Sequence, residues 1–264
     1  MAELQAELCL EILSRSPVFQ PATSSELERL APRCTCERYR RGAEILRKGT
    51  VGDCLGVLGR GRVKGTLPSP EADGEFLVQM FWPGDVFGEV VIFDRQPRAG
   101  SAVAVTEAEI VFVPRVDVLA LIDRRPAVAL GLLEGLCDKL RVALDLSLAM
   151  RFLDIPSRLY RRLGYLCRYD SRLEGGGVRI QHGLSQKELA DSIGASREGL
   201  NKVFGEWKRA GLLDHGRGFV VVHDPAALAM RLPAAVRQGP LIAATGATPA
   251  EVTASPSRRS RVTC

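Results

Sequence analysis

The sequence predicts an α+β chain with an antiparallel β-roll at the front, a long helix in the middle and a winged helix-turn-helix at the back. Three observations predict it. Short alternating segments punctuated by glycine run from Cys34 to about Val113, the texture of a many-stranded barrel or sandwich. Leu133, Leu136, Leu140, Ala143, Ser147 and Met150 recur at intervals of 3, 4, 3, 4 and 3, which is a helical apolar seam. Ser185–Val222 holds two capped helices followed by a hairpin.

The chain has 264 residues, 46% hydrophobic and 25% charged, enough apolar material for two ordinary domains. Apolar runs stay short of the roughly 20 residues a membrane helix needs. Met1–Ser16 carries Glu3, Glu7 and Glu11, the wrong charge for a signal or transit peptide. A cytoplasmic protein without a membrane partner is expected. The seven cysteines are odd in number and irregular in spacing, unlike a disulfide framework. Cys34 and Cys36 share one strand face, but no second pair supplies the four ligands of a metal site, so no metal is expected. The net charge of +5 is uneven: residues 1–154 carry −3, residues 155–232 carry +5 and residues 233–264 carry +3. A basic back half suits a polyanionic partner.

Four segments follow. Residues 1–127 form the β-roll, opened by short helices over 4–30 and a turn near Pro21. In the roll Phe76, Val78 and Met80 alternate with Leu77, Gln79 and Phe81 before the turn Pro83–Gly84–Asp85. Residues 128–154 form a long helix whose seam favours pairing with a second copy, ended by a hinge at Asp154–Ile155–Pro156–Ser157. Residues 155–232 form the winged domain: a helix over 157–168, a loop at 174–177, two helices within Ser185–Ala210 and a hairpin turning at Gly216–Arg217–Gly218. Residues 233–264, rich in Ala, Pro, Thr, Ser and Arg without periodicity, form a disordered tail.

The C-terminal motif carries the clearest chemistry. Ser185 and Glu188 form a capping box that starts the first helix at Gln186. Ala190 allows close helix approach, Gly194 supplies the sharp turn and Ser196 caps the second helix. Leu200 and Val203 face the first helix. Gly199 and Asn201 lie between exposed charges: Arg197 can fork onto a guanine edge, Glu198 can accept from cytosine N4, and Lys202 reaches a base or phosphate one turn on. Arg217, at the wing tip, is placed for the DNA backbone.

A second motif lies in the roll, Phe87–Ser101. Gly88 allows a backbone amide to approach an anion, and Arg98 offers a bidentate fork for phosphate. Glu89 can accept from a sugar hydroxyl, and Val90 and Ala99 flank these groups. Together they read as a phosphate-and-ribose cradle; the competing reading is an ordinary turn with an exposed Glu89–Arg98 ion pair.

Barrel, cassette, long helix and winged domain, in that order, resemble the cyclic-AMP receptor protein/fumarate-nitrate regulator (Crp/Fnr) family of bacterial transcription factors. The resemblance covers roughly residues 10–230 and is strongest in Phe87–Arg98, Arg151–Arg158 and Leu184–Lys202. It implies a jelly-roll (double-stranded β-helix) sensor and a homodimer on a palindromic operator with GTGA-like half-sites, read by Arg197, Glu198 and Lys202. It implies a cyclic nucleotide effector held by Gly88, Glu89 and Arg98, with the helix around Lys139–Leu144 as the other wall, and RNA polymerase as a further partner. It implies no catalytic residue. Ala99 stands where the bacterial receptor has serine, which tilts towards cyclic AMP over cyclic GMP. Ala143 and Leu144 stand where that receptor has the Thr-Ser pair that contacts adenine. The clustered cysteines of the iron–sulfur branch and the Cys/His pair of the haem branch are missing from the barrel. The alternative is a regulator of the same family without a nucleotide, constitutive or redox-responsive through Cys34, Cys36 or Cys54.

Overall fold

Two helices begin the chain: α1 (Ala2–Arg15) and α2 (Ser24–Leu30). Thr23 and Glu26 close a reciprocal capping box that fixes the start of the second. The computed structural model describes residues 2–68, 75–174 and 177–237. It divides into two units, Met1–Ser147 and Leu148–Cys264.

In the first unit β1 (Thr35–Tyr39), β2 (Glu44–Leu46), β3 (Cys54–Arg60), β4 (Val63–Pro68), β5 (Glu75–Phe81) and β6 (Val86–Phe87) precede the short helix α3 (Val90–Asp94). After it come β7 (Ser101–Ala104), β8 (Ala108–Pro114) and α4 (Arg115–Arg124). The strands make two antiparallel sheets, ordered β1-β8-β3-β6 and β2-β7-β4-β5. Alternation divides the sheet faces. Leu58, Phe87 and Ile110 join Val63, Phe81, Ala102 and Ala104 in the roll interior. Leu55, Val57, Val111 and Val113 pack instead with Cys9, Leu13, Phe19 and Leu27 of the opening helices. Along β5 the expected alternation breaks: Leu77, Met80 and Phe81 are the buried residues, because the register with β4 shifts between Gly65 and Thr66.

Helix α5 (Pro126–Phe152) runs from the first unit into the second, so the boundary falls inside it. Its exposed large apolar residues are Leu130, Leu133 at 49%, Leu140 at 59%, Leu144 at 56%, Leu148 at 55% and Phe152, with Cys137 exposed among them. Of the expected seam, Leu133, Leu140, Ala143 and Ser147 are exposed, and Leu136 and Met150 are half-buried.

The hinge is shorter than expected. Helix α6 (Ile155–Cys167) resumes after Leu153 and Asp154, with Asp154 as its cap accepting from the Ser157 amide at 3.0 Å. Pro156 sits in the first turn, where its missing N–H costs nothing. The second unit continues with β9 (Ser171–Glu174), β10 (Gly177–Gln181), α7 (Gln186–Asp191) and α8 (Arg197–Arg209). It ends with β11 (Leu213–Gly216), β12 (Phe219–Val222), α9 (Pro225–Met230) and α10 (Ala234–Arg237). One sheet, β11-β12-β10-β9, backs the helices. Helix α10, with Val236 buried, is ordered chain where the sequence suggests a structureless tail. The rest of that tail, and Gly175 and Gly176 of the loop, lie outside the described residues.

Candidate functional site

The cassette is assembled where β6 turns into α3. Gly88 has φ +72°, and a side chain there would collide with the Arg98 guanidinium and Leu46. Glu89 and Arg98 are only 3% and 7% exposed, so the pair is not a surface ion bridge. Nor do they bind each other. Glu89 Oε1 accepts from Lys139 Nζ of α5 at 2.7 Å. The same ammonium donates to the Val86 carbonyl at 2.8 Å and lies 5.2 Å from the centre of the Phe81 ring. Arg98 donates from Nη2 to the Cys54 carbonyl at 3.1 Å and from Nη1 to the Gly88 carbonyl at 3.4 Å. Its positive charge thus meets neutral carbonyls, long at one end, and is available to an incoming anion.

The Cys54 thiol lies 3.7 Å from Arg98 Nη2. Burial pushes its pKa up, and the guanidinium opposes that shift. The aromatic pair Phe81–Phe87, with centroids 5.4 Å apart, adds an apolar wall. Val90 is 38% exposed, and Ala99 is exposed beside Arg98. Of the three helix residues expected near the ligand, Lys139 reaches the cassette; Ala143 and Leu144 are exposed in the protomer.

The helix-turn-helix follows its sequence signals closely. Ser185 Oγ accepts from the Glu188 amide at 3.2 Å, and Glu188 Oε2 accepts from the Ser185 amide at 2.8 Å, closing the box before Gln186. Ser196 Oγ accepts from the Gly199 amide at 3.0 Å. Gly194 takes φ +57°. Leu189, Ala190, Ile193, Leu200, Val203, Phe204 and Trp207 are buried, which leaves one polar face on α8. Arg197, Glu198, Asn201 and Lys202 are all exposed on it, and among the described residues no ion pair occupies them. Arg217 is exposed at the β11–β12 tip.

One residue that orders this motif escaped the sequence reading. Arg158 of α6 sends Nη1 to the Ile193 carbonyl at 2.7 Å and the Gly194 carbonyl at 3.1 Å. It thereby satisfies carbonyls at the turn between α7 and α8. Nothing in the local sequence marks a contact made 35 residues away.

Buried Glu89 and Arg98 in a β-roll, with an exposed polar helix in a winged motif, fit the class of two-domain DNA-binding regulators. Residues 36–125 match the cyclic nucleotide-binding domain family, and residues 157–231 match the Crp-like helix-turn-helix domain. The chain is 33% identical over 221 residues to the CRP-like cAMP-activated global transcriptional regulator of Mycobacterium tuberculosis, covering 84% of this chain and 98% of that protein. It is 31% identical over 214 residues to the Cyclic AMP receptor protein of Thermus thermophilus, covering 81% and 95%. The fold is shared with the c-di-GMP responsive global regulator CLP of Xanthomonas campestris, at TM-score 0.67, 22% identity and coverage of 76% and 100%. The chain belongs to the Crp/Fnr family of transcription regulators, and its C-terminal unit is a DNA-binding domain.

Proposed function

We propose that the protein is a homodimeric transcription regulator whose DNA binding is controlled by a cyclic mononucleotide, cyclic AMP ahead of cyclic GMP. The observation that carries this reading is the buried Arg98 guanidinium, which donates to carbonyl oxygens rather than a carboxylate, beside the buried acceptor Glu89. A cyclic phosphate satisfies Arg98 bidentately and neutralises its charge, while the ribose hydroxyl donates to Glu89. Gly88 leaves room for the backbone to approach, and Val90 and Ala99 border the sugar-phosphate. Lys139 holds Glu89 from the long helix, so a nucleotide that engages Glu89 also engages that helix. Ala143 and Leu144 offer a base only apolar contact. The relatives named for cyclic AMP support this effector class.

The exposed stripe Leu133, Leu140, Leu144 and Leu148 suits a second copy of the chain. Two copies present paired recognition helices to a palindromic operator, with Arg197, Glu198 and Lys202 on GTGA-like half-sites. Ser185, Gln186, Ser196, Gly199, Asn201 and Arg217 position the motif on the backbone. RNA polymerase is the further partner of such a regulator. Ligand acts only through its different affinity for the DNA-competent and incompetent states. Burial pushes Cys34 and Cys36 up to about 12, which disfavours the thiolates that a redox sensor needs.

Calorimetric titration of the nucleotide-free protein with cyclic AMP and cyclic GMP tests the reading. Micromolar binding that is lost in Arg98→Ala is expected, with operator affinity rising on ligand addition. No heat from either nucleotide in a folded protein sinks nucleotide control and leaves the constitutive regulator.

A further inference from the structure

One end of the β-roll gathers arginines that neither the cassette nor the recognition helix uses. The β1–β2 turn carries Arg40 and Arg41, and the β3–β4 turn carries Arg60 and Arg62 at its two sides. The turn Val105–Glu107 lies between them. The Gly42 amide donates to the Ala104 carbonyl at 2.8 Å and the Ala104 amide returns to the Ala43 carbonyl at 3.0 Å. On the other side the Val105 amide donates to the Arg62 carbonyl at 2.8 Å, and the Arg62 amide to Thr106 Oγ1 at 2.9 Å. Arg38 and Arg60 flank Glu109 of β8 from both sides by strand register.

The anions at this end do not balance the cations. Glu109 is taken by Arg38 at 2.8 Å, Glu37 accepts from the Tyr39 hydroxyl at 2.6 Å, and exposed Glu107 of the central turn stands against Arg40, Arg41, Arg60 and Arg62. Arg40, Arg41 and Arg60 are exposed and, among the described residues, have no ion-pair partner. This basic rim stands on a part of the chain, residues 1–154, whose net charge is −3. Its exposed large hydrophobic neighbours are missing too: none falls at 38–43, 60–62 or 105–109 among the described residues. A protein partner is usually held by a buried apolar centre, whereas a phosphate backbone is held by charge alone.

We propose that this rim of the sensor unit binds the phosphate backbone of duplex DNA flanking the operator, with Arg40, Arg41 and Arg60 as the contacting residues. Guanidinium forks match phosphate oxygens bidentately and carry no base preference. The rim extends the footprint beyond the half-sites without changing which sequence is read. It rests on the family's DNA binding and not on the nucleotide reading.

The test uses the full-length protein, with nucleotide present, and the palindromic duplex it binds best from a random pool. One duplex just spans the selected site; a second extends it by two helical turns of random sequence at each end. The expected result is about tenfold tighter binding of the longer duplex at low salt, with a plot of log K against log salt steeper by about 0.9 for each phosphate contacted. Arg40→Gln, Arg41→Gln and Arg60→Gln together should erase both gains and leave short-duplex affinity and thermal melting unchanged. Arg40→Gln and Arg60→Gln alone should each remove part of the gain. Equal affinity of the wild-type protein for the two duplexes overturns the proposal, as does an undiminished gain in the triple variant. An acidic protein as the true partner gives the first of these outcomes.

Discussion

Replacing Arg158 with methionine isolates the contact that holds the helix-turn-helix together from behind. The wild-type guanidinium makes two charge-assisted hydrogen bonds to the turn, at 2.7 Å to the Ile193 carbonyl and 3.1 Å to the Gly194 carbonyl. A charged hydrogen bond contributes about 1.5–3 kcal/mol, and one in a partly exposed setting contributes less. The first bond is part-buried and shorter, the second longer and exposed, so together they contribute about 2–3 kcal/mol. Methionine keeps an unbranched apolar stem and loses both bonds, together with the 3.2 Å approach of Nη1 to Met150 Sδ. The loss shifts the folded-to-unfolded ratio by roughly 30–150-fold and lowers the melting temperature of so small a unit by roughly 10–20 °C. Urea unfolding followed through Trp207, buried on α8, reads this in a Trp82→Phe background. Arg158→Lys should recover part of the loss, because an ammonium restores charge without the fork. Operator affinity below the transition should fall only as far as the folded fraction falls. A stability change under about 0.5 kcal/mol, the range of an ordinary surface substitution, would refute the reasoning. So would a large affinity loss in a fully stable variant.

The remaining predictions separate reading from folding. Arg197→Ala should weaken specific operator binding by about 1–3 kcal/mol while leaving the unfolding midpoint in place, since the side chain is exposed; unchanged affinity would remove Arg197 from the interface. Leu140→Asp with Leu144→Asp should convert the proposed dimer to monomer in sedimentation, since charges on the stripe oppose its burial; a persisting dimer would place the interface elsewhere. Glu26 has its pKa lowered from 4.5 to about 2, first by the Thr23 backbone amide, and also by Arg125 and the Thr23 hydroxyl. A lowered carboxylate contributes stability that is present above about pH 4.5 and lost as pH falls towards 2. Glu26→Gln should therefore destabilise the first unit at neutral pH and flatten its acid loss in that window, measured by Trp82 fluorescence. An identical acid profile in the variant would show that the cap does not set it.

What was legible depended on how local the signal was. Ser185, Glu188, Gly194 and Ser196 are all satisfied within a few residues of themselves, so the motif was readable from spacing alone. The cassette residues were readable as a set, but the partner of Glu89 was not: Lys139 arrives from a helix 50 residues later, and only the fold decides that it, and not Arg98, takes the carboxylate. Arg158 is the same case in the second unit. On α5 the exposed Leu133, Leu140, Ala143 and Ser147 belong to the heptad seam, whereas the exposed Leu144 and Leu148 fall one residue beyond its steps. The bulge between Gly65 and Thr66 changed which β5 residues turn inward, and no residue type announces it. Strands β9 and β10 and helix α9 are four to six residues long, too short for periodicity to reveal.

The geometry of α5 explains why one helix can serve both the cassette and a second copy of the chain. At about 100° per residue, Leu140 lies about 100° from Lys139, Leu144 about 140° and Leu148 about 180°. The face that holds Glu89 is therefore nearly opposite the face that carries the exposed leucines. A nucleotide competing for Glu89 changes the restraint on Lys139, and any rotation of the helix that follows turns the leucine stripe through the same angle. In the proposed dimer the two faces are then thermodynamically linked, and the linkage is reciprocal: whatever the nucleotide adds to pairing, pairing adds to nucleotide affinity. Shortening Leu148, an exposed leucine outside the expected ligand wall, to alanine should accordingly weaken nucleotide binding measured at a site it does not touch. Lys139→Met should break the connection, leaving pairing and nucleotide binding each measurable but no longer dependent on the other.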